Sequence, residues 1–386
     1  MDQFAGPDMN DFKAGVTTKK ARKLRRRDSS MRFGVFWPYS RTLIPSATIA
    51  ERNPDVLELD NHIQLAQAAE AVGIDFALVA DGYAPASAEN SKIGFQDPST
   101  NAVILAVPLL LATKHLGIIS TMHTRFLHPV VIARLGAHLD WVGGGRWGWN
   151  VVNGFRPHEA RLFGSDGKMD DDGGYGVADE AMQVIKALWA ATTDEVHHQG
   201  PNFKVDGRIR RPVPETLPLL VSAASSGRGR SFAAKHCDYL FATPLDAKDI
   251  IDIGTELQAE AAAMNNETPQ ILVLSDIFIR DEPGRAREEY EALVNSQDPE
   301  AERAWKSHLA RVAHAGRKPG DVMTFLGTVD EVAEQIITLR RDSGITGLML
   351  RLPLWAREEA LRLAPVFALL EKAGVWTPPA ARDYSW

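Results

Sequence analysis

The feature that most constrains the fold is a repeated alternation of short β-rich runs with amphipathic helical stretches. Eight strands are predicted, and a helical stretch follows each of them. The predicted strands are Arg32–Trp37, Ile74–Ala80, Leu116–Met122, Arg146–Val152, Pro218–Ser222, Tyr239–Thr243, Gln270–Ile279 and Gly347–Leu352. Strict alternation requires a parallel sheet, and eight repeats are the number that closes such a sheet into a TIM (β/α)8 barrel. An open doubly wound sheet usually carries a glycine loop after its first strand, and residues 35–40 contain no glycine.

Three connections are too long to be simple loops: Asp81–Pro98, Asn153–Gly176 and about Asn295–Thr328. The first two follow strands 2 and 4, and the third precedes the last helix–strand repeat. In a barrel of this kind, the loops after the strands lie on the C-terminal face, where active sites are built. We therefore expect functional side chains in the first two insertions.

Composition excludes several classes of protein. The net charge of −7 argues against nucleic-acid binding, which usually needs a strongly basic surface. The longest apolar stretch, Ala102–Thr113, is too short to cross a bilayer, so no membrane span is expected. The single cysteine, Cys237, can form neither an internal disulfide nor a thiolate metal site, and this suits a reducing cytoplasm.

The uneven distribution of charge indicates a domain boundary. Residues 1–30 contain eight basic and four acidic residues, and no apolar run typical of a secretory signal follows them. We predict a disordered basic leader over residues 1–30, one barrel domain over residues 31–376, and a C-terminal tail over residues 377–386.

Three motifs do not support the ligands that they suggest. Gly143–Gly148 fits the dinucleotide pattern G-x-G-x-x-G but precedes a strand, so a tight turn is expected there. Asp170–Asp172 lacks the ligand spacing of an EF-hand loop. His197 and His198 are adjacent and suggest a surface turn, so no metal site is predicted.

A run of small and hydroxyl residues, Ala223–Arg230, leads from the fifth strand into a helix. Free backbone N–H groups at a helix start, together with hydroxyls, form an anion site. Helix capping by Ser225 or Ser226 explains the same residues equally well. The position on the C-terminal face favours a phosphate.

Several separated segments resemble the bacterial luciferase-like flavin-dependent monooxygenases. They are Gly144–Phe155, the set Tyr175, Glu180 and Trp189, Gly200–Phe203, Ser222–Arg230 with Phe232–Asp238, and Leu326–Ala333. The resemblance runs from Met31 to about Val375. The Asn150–Val152 stretch is most similar to the branch that holds pyrimidine, dimethyl sulfone and dibenzothiophene sulfone monooxygenases.

This resemblance implies a two-component enzyme that uses FMN, reduced by a separate NAD(P)H:flavin reductase, together with O2. The substrate would be a small organic molecule, such as a sulfone, a sulfonate or a nitrogen heterocycle, and the enzyme would be a homodimer or homotetramer. The implied cofactor-binding residues are Ala80, Thr121, Asn150, Tyr175, Ser225, Ser226 and Gly227. A rigid amide or hydroxyl donor in a dry pocket stabilises negative charge on oxygen, which gives Asn150 and Thr121 a catalytic role. Alternatively, Asn150 only satisfies backbone groups at the barrel mouth.

The substrate pocket is expected to differ from that of the relatives, because Gly154–His158 departs from their pattern. Candidate substrate contacts are Trp37, Tyr39, Asp81, Tyr83 and Arg351. Packing, a loop cap and a structural ion pair are the respective alternatives for the aromatics, Asp81 and Arg351. His123 is the candidate general base, because a pKa near neutrality would suit that role.

The sequence is also compatible with two other functions. A flavin or deazaflavin reductase on the same barrel would transfer hydride without O2. A non-catalytic flavin-binding protein would hold FMN and turn over no substrate.

Overall fold

The computed structural model describes residues 29–85, 87–154, 156–165, 174–223, 226–309 and 321–385. The strands are β1 Arg32–Phe36, β2 Phe76–Val79, β3 Gly117–His123, β4 Trp147–Val152, β5 Val196–Gln199, β6 Lys204–Gly207, β7 Leu219–Ala223, β8 Tyr239–Ala242, β9 Gln270–Ile279, β10 Met323–Gly327 and β11 Gly347–Arg351. The helices are α1 Ala47–Arg52, α2 Leu59–Val72, α3 Ala88–Lys92, α4 Ala102–Ala112, α5 Pro129–Val142, α6 Pro157–Leu162, α7 Tyr175–Ala190, α8 Gly227–His236, α9 Ala247–Ala263, α10 Arg285–Asn295, α11 Pro299–Leu309, α12 Val329–Ser343, α13 Arg357–Leu361 and α14 Leu363–Lys372. A 3-10 turn, Pro379–Arg382, follows.

Eight parallel strands close into a barrel in the order β1-β2-β3-β4-β7-β8-β9-β11, and β11 returns to pair with β1. These are the eight strands predicted from the sequence, so the (β/α)8 fold is confirmed. Within the described residues, no helix is both long and apolar enough to cross a membrane.

Two pairings were not expected. β10 lies in the third long connection and pairs with the C-terminal part of β9, with Met323 opposite Ser275 and Gly327 opposite Ile279. β9 is ten residues long and β8 only four, so the far half of β9 offers an edge that β10 fills. β5 and β6 form an antiparallel hairpin where His197 and His198 had suggested a turn.

The barrel interior follows from the two-residue period of the strands. Alternate residues point inward and form an apolar cluster: Phe76, Leu78, Ile119, Leu219, Val221, Tyr239, Leu272, Leu274 and Met349. Two residues further along their strands, the same inward face carries Thr121, Asp276 and Arg351 at the C-terminal mouth. The mouth therefore changes from apolar packing to polar side chains.

Glycines and a capping box define two helix boundaries that the sequence indicated. Gly144 and Gly145 have positive φ angles of 57° and 92°, and they turn the chain from α5 into β4. The G-x-G-x-x-G segment is thus the tight turn predicted from its context. α12 begins with a capping box in which Thr328 and Glu331 each accept from the other's backbone N–H.

The C-terminal residues close the opposite end of the barrel. Met31 donates its N–H to the Val375 carbonyl at 3.0 Å, and Thr377 donates its N–H to Ser30 Oγ at 2.9 Å. Arg382 is buried against Asp75, just before β2.

Candidate functional site

A hydrogen-bonded pair lies where β3 and β4 reach the mouth. Thr121 and Asn150 are register partners, and Asn150 Nδ2 donates to Thr121 Oγ1 at 2.9 Å. Thr121 donates its single hydroxyl proton to the Val79 carbonyl at 2.8 Å. This orients the Asn150 amide, because Thr121 Oγ1 must accept there. Asn150 Oδ1 is left buried without a hydrogen-bond donor.

This arrangement changes the role expected for the pair. The sequence suggested that both side chains donate to a negatively charged oxygen. Thr121 donates its hydroxyl proton to the Val79 carbonyl, and the Asn150 atom that has no partner, Oδ1, is an acceptor. A buried acceptor without a partner costs about 1–3 kcal/mol, so the site favours a ligand that brings an N–H or O–H group.

Glu159 provides a second acceptor without a partner, and it was not among the candidates predicted from the sequence. It lies in the first turn of α6 and is fully buried. Its Oε1 accepts from the Tyr83 N–H at 3.1 Å and from Arg156 Nη1 at 3.3 Å, whereas Oε2 has no partner. The available signal was an acid beside Pro157, a residue that suits a helix start, in the insertion after strand 4.

The electrostatics at the mouth differ from expectation for His123. Burial, reinforced by the nearby Arg156 charge, lowers the pKa of His123 to about 3. Its imidazole is neutral at physiological pH and is a poor general base, so the pKa near neutrality expected for it is not found. Burial raises the pKa of Asp81 to about 6, although the Ala102 and Gly82 N–H groups oppose this.

A hydroxyl-rich corner forms beside β4, at the start of α8. Ser226 caps α8 by accepting from the Gly229 N–H at 3.1 Å, and the Tyr175 hydroxyl hydrogen-bonds to Ser226. Burial raises the pKa of Tyr175, which keeps this hydroxyl protonated. Gly227 faces open space, and Ser225 lies outside the described residues. The corner thus places two hydroxyls at a helix N-terminus, where an anion is favoured.

The substrate candidates on the first and last strands lie in different places. Trp37 is fully buried and donates from Nε1 to His62 Nδ1 at 3.1 Å, so its ring packs outside the barrel. Its neighbour Phe36 faces the mouth instead, stacked on Phe241 with ring centroids 5.8 Å apart. Arg351 forms a bidentate ion pair with the buried Asp276, with distances of 2.5 and 2.8 Å.

The remaining candidates lie around the mouth. Tyr39 is half-buried and contacts the Phe36 ring edge-on at 6.4 Å. Ala80 is half-buried directly after β2. Asp81 holds the start of α4, because Oδ2 accepts from Asn101 Nδ2 at 2.8 Å and from the Ala102 N–H at 3.0 Å. Tyr83 is 38% exposed.

Metal binding finds no support in the part of the chain that the structure describes. No three His, Cys, Asp or Glu side chains come together there as a metal site would require. The site is instead a polar mouth with two buried acceptors, a hydroxyl corner and aromatic rings.

This combination of a parallel (β/α)8 barrel and a site on its C-terminal face defines an α/β-barrel enzyme class. The family model described as Luciferase-like monooxygenase matches residues 31–347. The chain belongs to the luciferase-like monooxygenase family, and the resemblance seen in the sequence is confirmed.

The individual relatives have low sequence identity to this chain. Nitrilotriacetate monooxygenase component A of Aminobacter aminovorans is 26% identical over 277 residues, which are 63% of this chain and 60% of that protein. Dibenzothiophene-sulfone monooxygenase of Rhodococcus erythropolis is 27% identical over 275 residues, 64% of this chain and 61% of that protein. The match thus spans about three fifths of these relatives. The structure of a riboflavin lyase superposes with a TM-score of 0.80 at 24% identity, covering 90% of this chain and 93% of that one.

Proposed function

We propose that this protein is the oxygenase of a two-component FMN-dependent monooxygenase. It would take reduced FMN from a separate NAD(P)H:flavin reductase and use O2 to oxygenate a small organic substrate. The observation that carries the proposal is the pair of buried acceptors without donors, Asn150 Oδ1 and Glu159 Oε2, at the mouth of a luciferase-like barrel.

The residues present fit a reduced flavin mononucleotide. The reduced isoalloxazine ring carries N–H groups, which are the donors that Asn150 and Glu159 lack. The phosphate suits the corner of Tyr175, Ser226 and Gly227, with Ser225 beside them in the sequence. When bound, reduced FMN supplies the electrons that activate O2. The protein's part is to hold the ring with Asn150 and to keep the mouth dry.

Replacement of Asn150 tests the chemistry. Asn150→Ala should lower substrate oxygenation about tenfold or more, because a lost buried hydrogen bond costs about 1.4 kcal/mol. Reduced FMN would still meet O2, so peroxide release should continue while product per O2 falls. Thr121→Val keeps Asn150 but releases its orientation, and it should show the same pattern more weakly.

The controls separate binding from chemistry. FMN dissociation constants are measured for each variant, and activity lost wholly through lost FMN would show that Asn150 binds the flavin but has no part in coupling. Ser226→Ala should weaken FMN but leave riboflavin nearly unaffected, since riboflavin lacks the phosphate. Hydride transfer without oxygen consumption would instead indicate a reductase, and bound FMN without any turnover would indicate a non-catalytic flavin-binding protein.

Self-association is the second part of the proposal, and α4 suggests where it occurs. All eleven residues of α4 are apolar, although an outer barrel helix normally carries a polar face. The outward side chains of α4 and the adjacent α5 are exposed by 37–71%, and they are Ile104, Leu111, Val131, Leu135 and Trp141. A stable dimer buries about 800 Å² per partner. These five side chains would form the apolar centre of such an interface with a second copy of this chain.

A matched pair of substitutions tests this dimer. Leu135 and Leu361 are both helical leucines, 37% and 38% exposed, but Leu361 lies on α13. Leu135→Glu should give monomers in sedimentation velocity, and Leu361→Glu should leave the dimer intact. A monomeric parent protein, or equal behaviour of the two variants, would contradict the proposal.

A further inference from the structure

Three loops bring aromatic rings together above one side of the mouth. Tyr83 follows β2, Phe126 follows β3, and Phe163 follows α6 in the insertion after β4. The Tyr83 ring is nearly perpendicular to the other two rings, at centroid distances of 5.5 and 4.9 Å, and Phe126 and Phe163 stack at 4.4 Å. We call these three rings the aromatic wall. Rings from three separate loops in mutual contact form one continuous apolar cluster.

The wall is connected to the Thr121–Asn150 pair through His123. His123 contacts Tyr83 and Phe126, with ring centroids 5.2 and 5.7 Å apart. It is two residues beyond Thr121 on the same face of β3, which places it about 7 Å further out. A molecule held against the wall would therefore reach the Thr121–Asn150 pair.

The wall is accessible rather than core. Tyr83 is 38% exposed and Phe163 is 48% exposed, while Phe126 is half-buried between them. Gly154 makes room for this packing, because a Cβ there would lie 3.1 Å from the Phe126 ring. Exposed aromatic surface of this kind at a site mouth typically marks a binding surface for apolar ligands.

Two arginines at the mouth are already matched by carboxylates within the protein. Arg156 pairs with the buried Glu159, and Arg351 pairs with the buried Asp276. Asp81 adds a third carboxylate beside Tyr83. A polyanionic substrate would need cations that are not neutralised, and these two arginines already have carboxylate partners.

We infer that the substrate is a neutral aromatic molecule that packs against the cluster of Tyr83, Phe126 and Phe163, and not a polycarboxylate. The inference rests on the proposed monooxygenase function and specifies its substrate class. It decides between classes that the names of the relatives leave open, since one is named for nitrilotriacetate and another for dibenzothiophene sulfone.

Equilibrium dialysis of the full-length protein with oxidised FMN measures this preference without turnover. Dibenzothiophene sulfone serves as the neutral aromatic probe, and nitrilotriacetate serves as the polycarboxylate probe. The aromatic probe should bind at least tenfold more tightly. Tyr83→Leu and Phe163→Leu should each weaken it about fivefold, the scale of one lost aromatic pair.

Leu162→Ala is the matched control, because Leu162 adjoins Phe163 and is 65% exposed but has no ring to stack. It should change binding by less than twofold, and melting temperatures confirm that all variants fold. Tighter binding of nitrilotriacetate, or equal binding by parent and leucine variants, would overturn the inference. Oxygenation of nitrilotriacetate with reduced FMN would refute the substrate class alone. Tight aromatic binding without oxygenation of any bound aromatic would refute the monooxygenase function alone.

Discussion

Replacing Arg382 with methionine should destabilise the whole barrel, although this residue lies only four positions before Trp386. Arg382 is 5% exposed and pairs with Asp75 Oδ1, while its Nε donates to the Thr377 carbonyl at 2.9 Å. Asp75 is 4% exposed and also accepts from the Phe33 N–H at 2.8 Å, at the start of β1. The substitution leaves a buried carboxylate without its main counterion.

The expected loss of unfolding free energy depends on the interactions that Asp75 retains. Breaking a buried ion pair costs about 3–5 kcal/mol, because one charge remains desolvated. The neighbouring Arg32, itself 4% exposed, still acts on Asp75, so we expect about 3 kcal/mol. With a urea m-value of about 3 kcal/mol/M for a chain of this size, the unfolding midpoint should fall by about 1 M.

Urea unfolding followed by tryptophan fluorescence measures the change. Arg341→Met is the control, because the Arg341–Asp342 pair is largely exposed and should contribute less than about 1 kcal/mol. Adding Asp75→Asn to Arg382→Met removes the stranded charge and should restore part of the loss. If Arg382→Met destabilises no more than Arg341→Met, the tail is not a structural part of the barrel.

Three further predictions concern pH, a turn and the chain start. Below pH 6, protonation of Asp81 weakens its hydrogen bonds to the loop before Tyr83, so the KM for substrate should rise. This rise in KM should be absent in Asp81→Asn and present in His123→Gln. The folded state binds this proton more tightly than the unfolded chain, so the contribution of Asp81 to stability falls as pH rises from about 4 to 6. Gly200→Ala should lower the melting temperature, because a Cβ there would meet Glu180 Oε1 at 2.0 Å. A chain that starts at Ser29 should keep its melting temperature and FMN affinity, and a lower value of either would show that the leader contributes.

The barrel strands could be predicted from the sequence because each is a short apolar run bounded by a helix, and the closing number follows from counting. It was harder to predict which residues of a strand face the barrel interior. Phe36 and Trp37 are adjacent aromatics, and only the pairing with neighbouring strands shows that Phe36 faces the mouth. β10 was missed because its position depends on the excess length of β9, which no local pattern reveals.

The polar site shows the same limit. Thr121 and Asn150 could be proposed from their positions at strand ends, but which atoms they offer depends on the Val79 carbonyl. Glu159 was missed because its burial results from the packing of the β2 and β4 insertions against each other. Glu180 illustrates the opposite case: it accepts from Asn202 and Phe203, which gives the Gly200–Phe203 motif a structural explanation.

The mouth is therefore built in two ways, and the two parts should respond differently to substitution. The acceptor and hydroxyl groups of Asn150 and Ser226 lie on or directly beside barrel strands and are fixed by the backbone around them. The aromatic wall comes from loops, which tolerate sequence change because they carry few backbone pairings. Substitutions in the wall should thus change which molecule binds while leaving FMN affinity intact. Substitutions at Asn150 or Ser226 should affect FMN or coupling for every substrate alike, which explains how one barrel can serve relatives with chemically unrelated substrates.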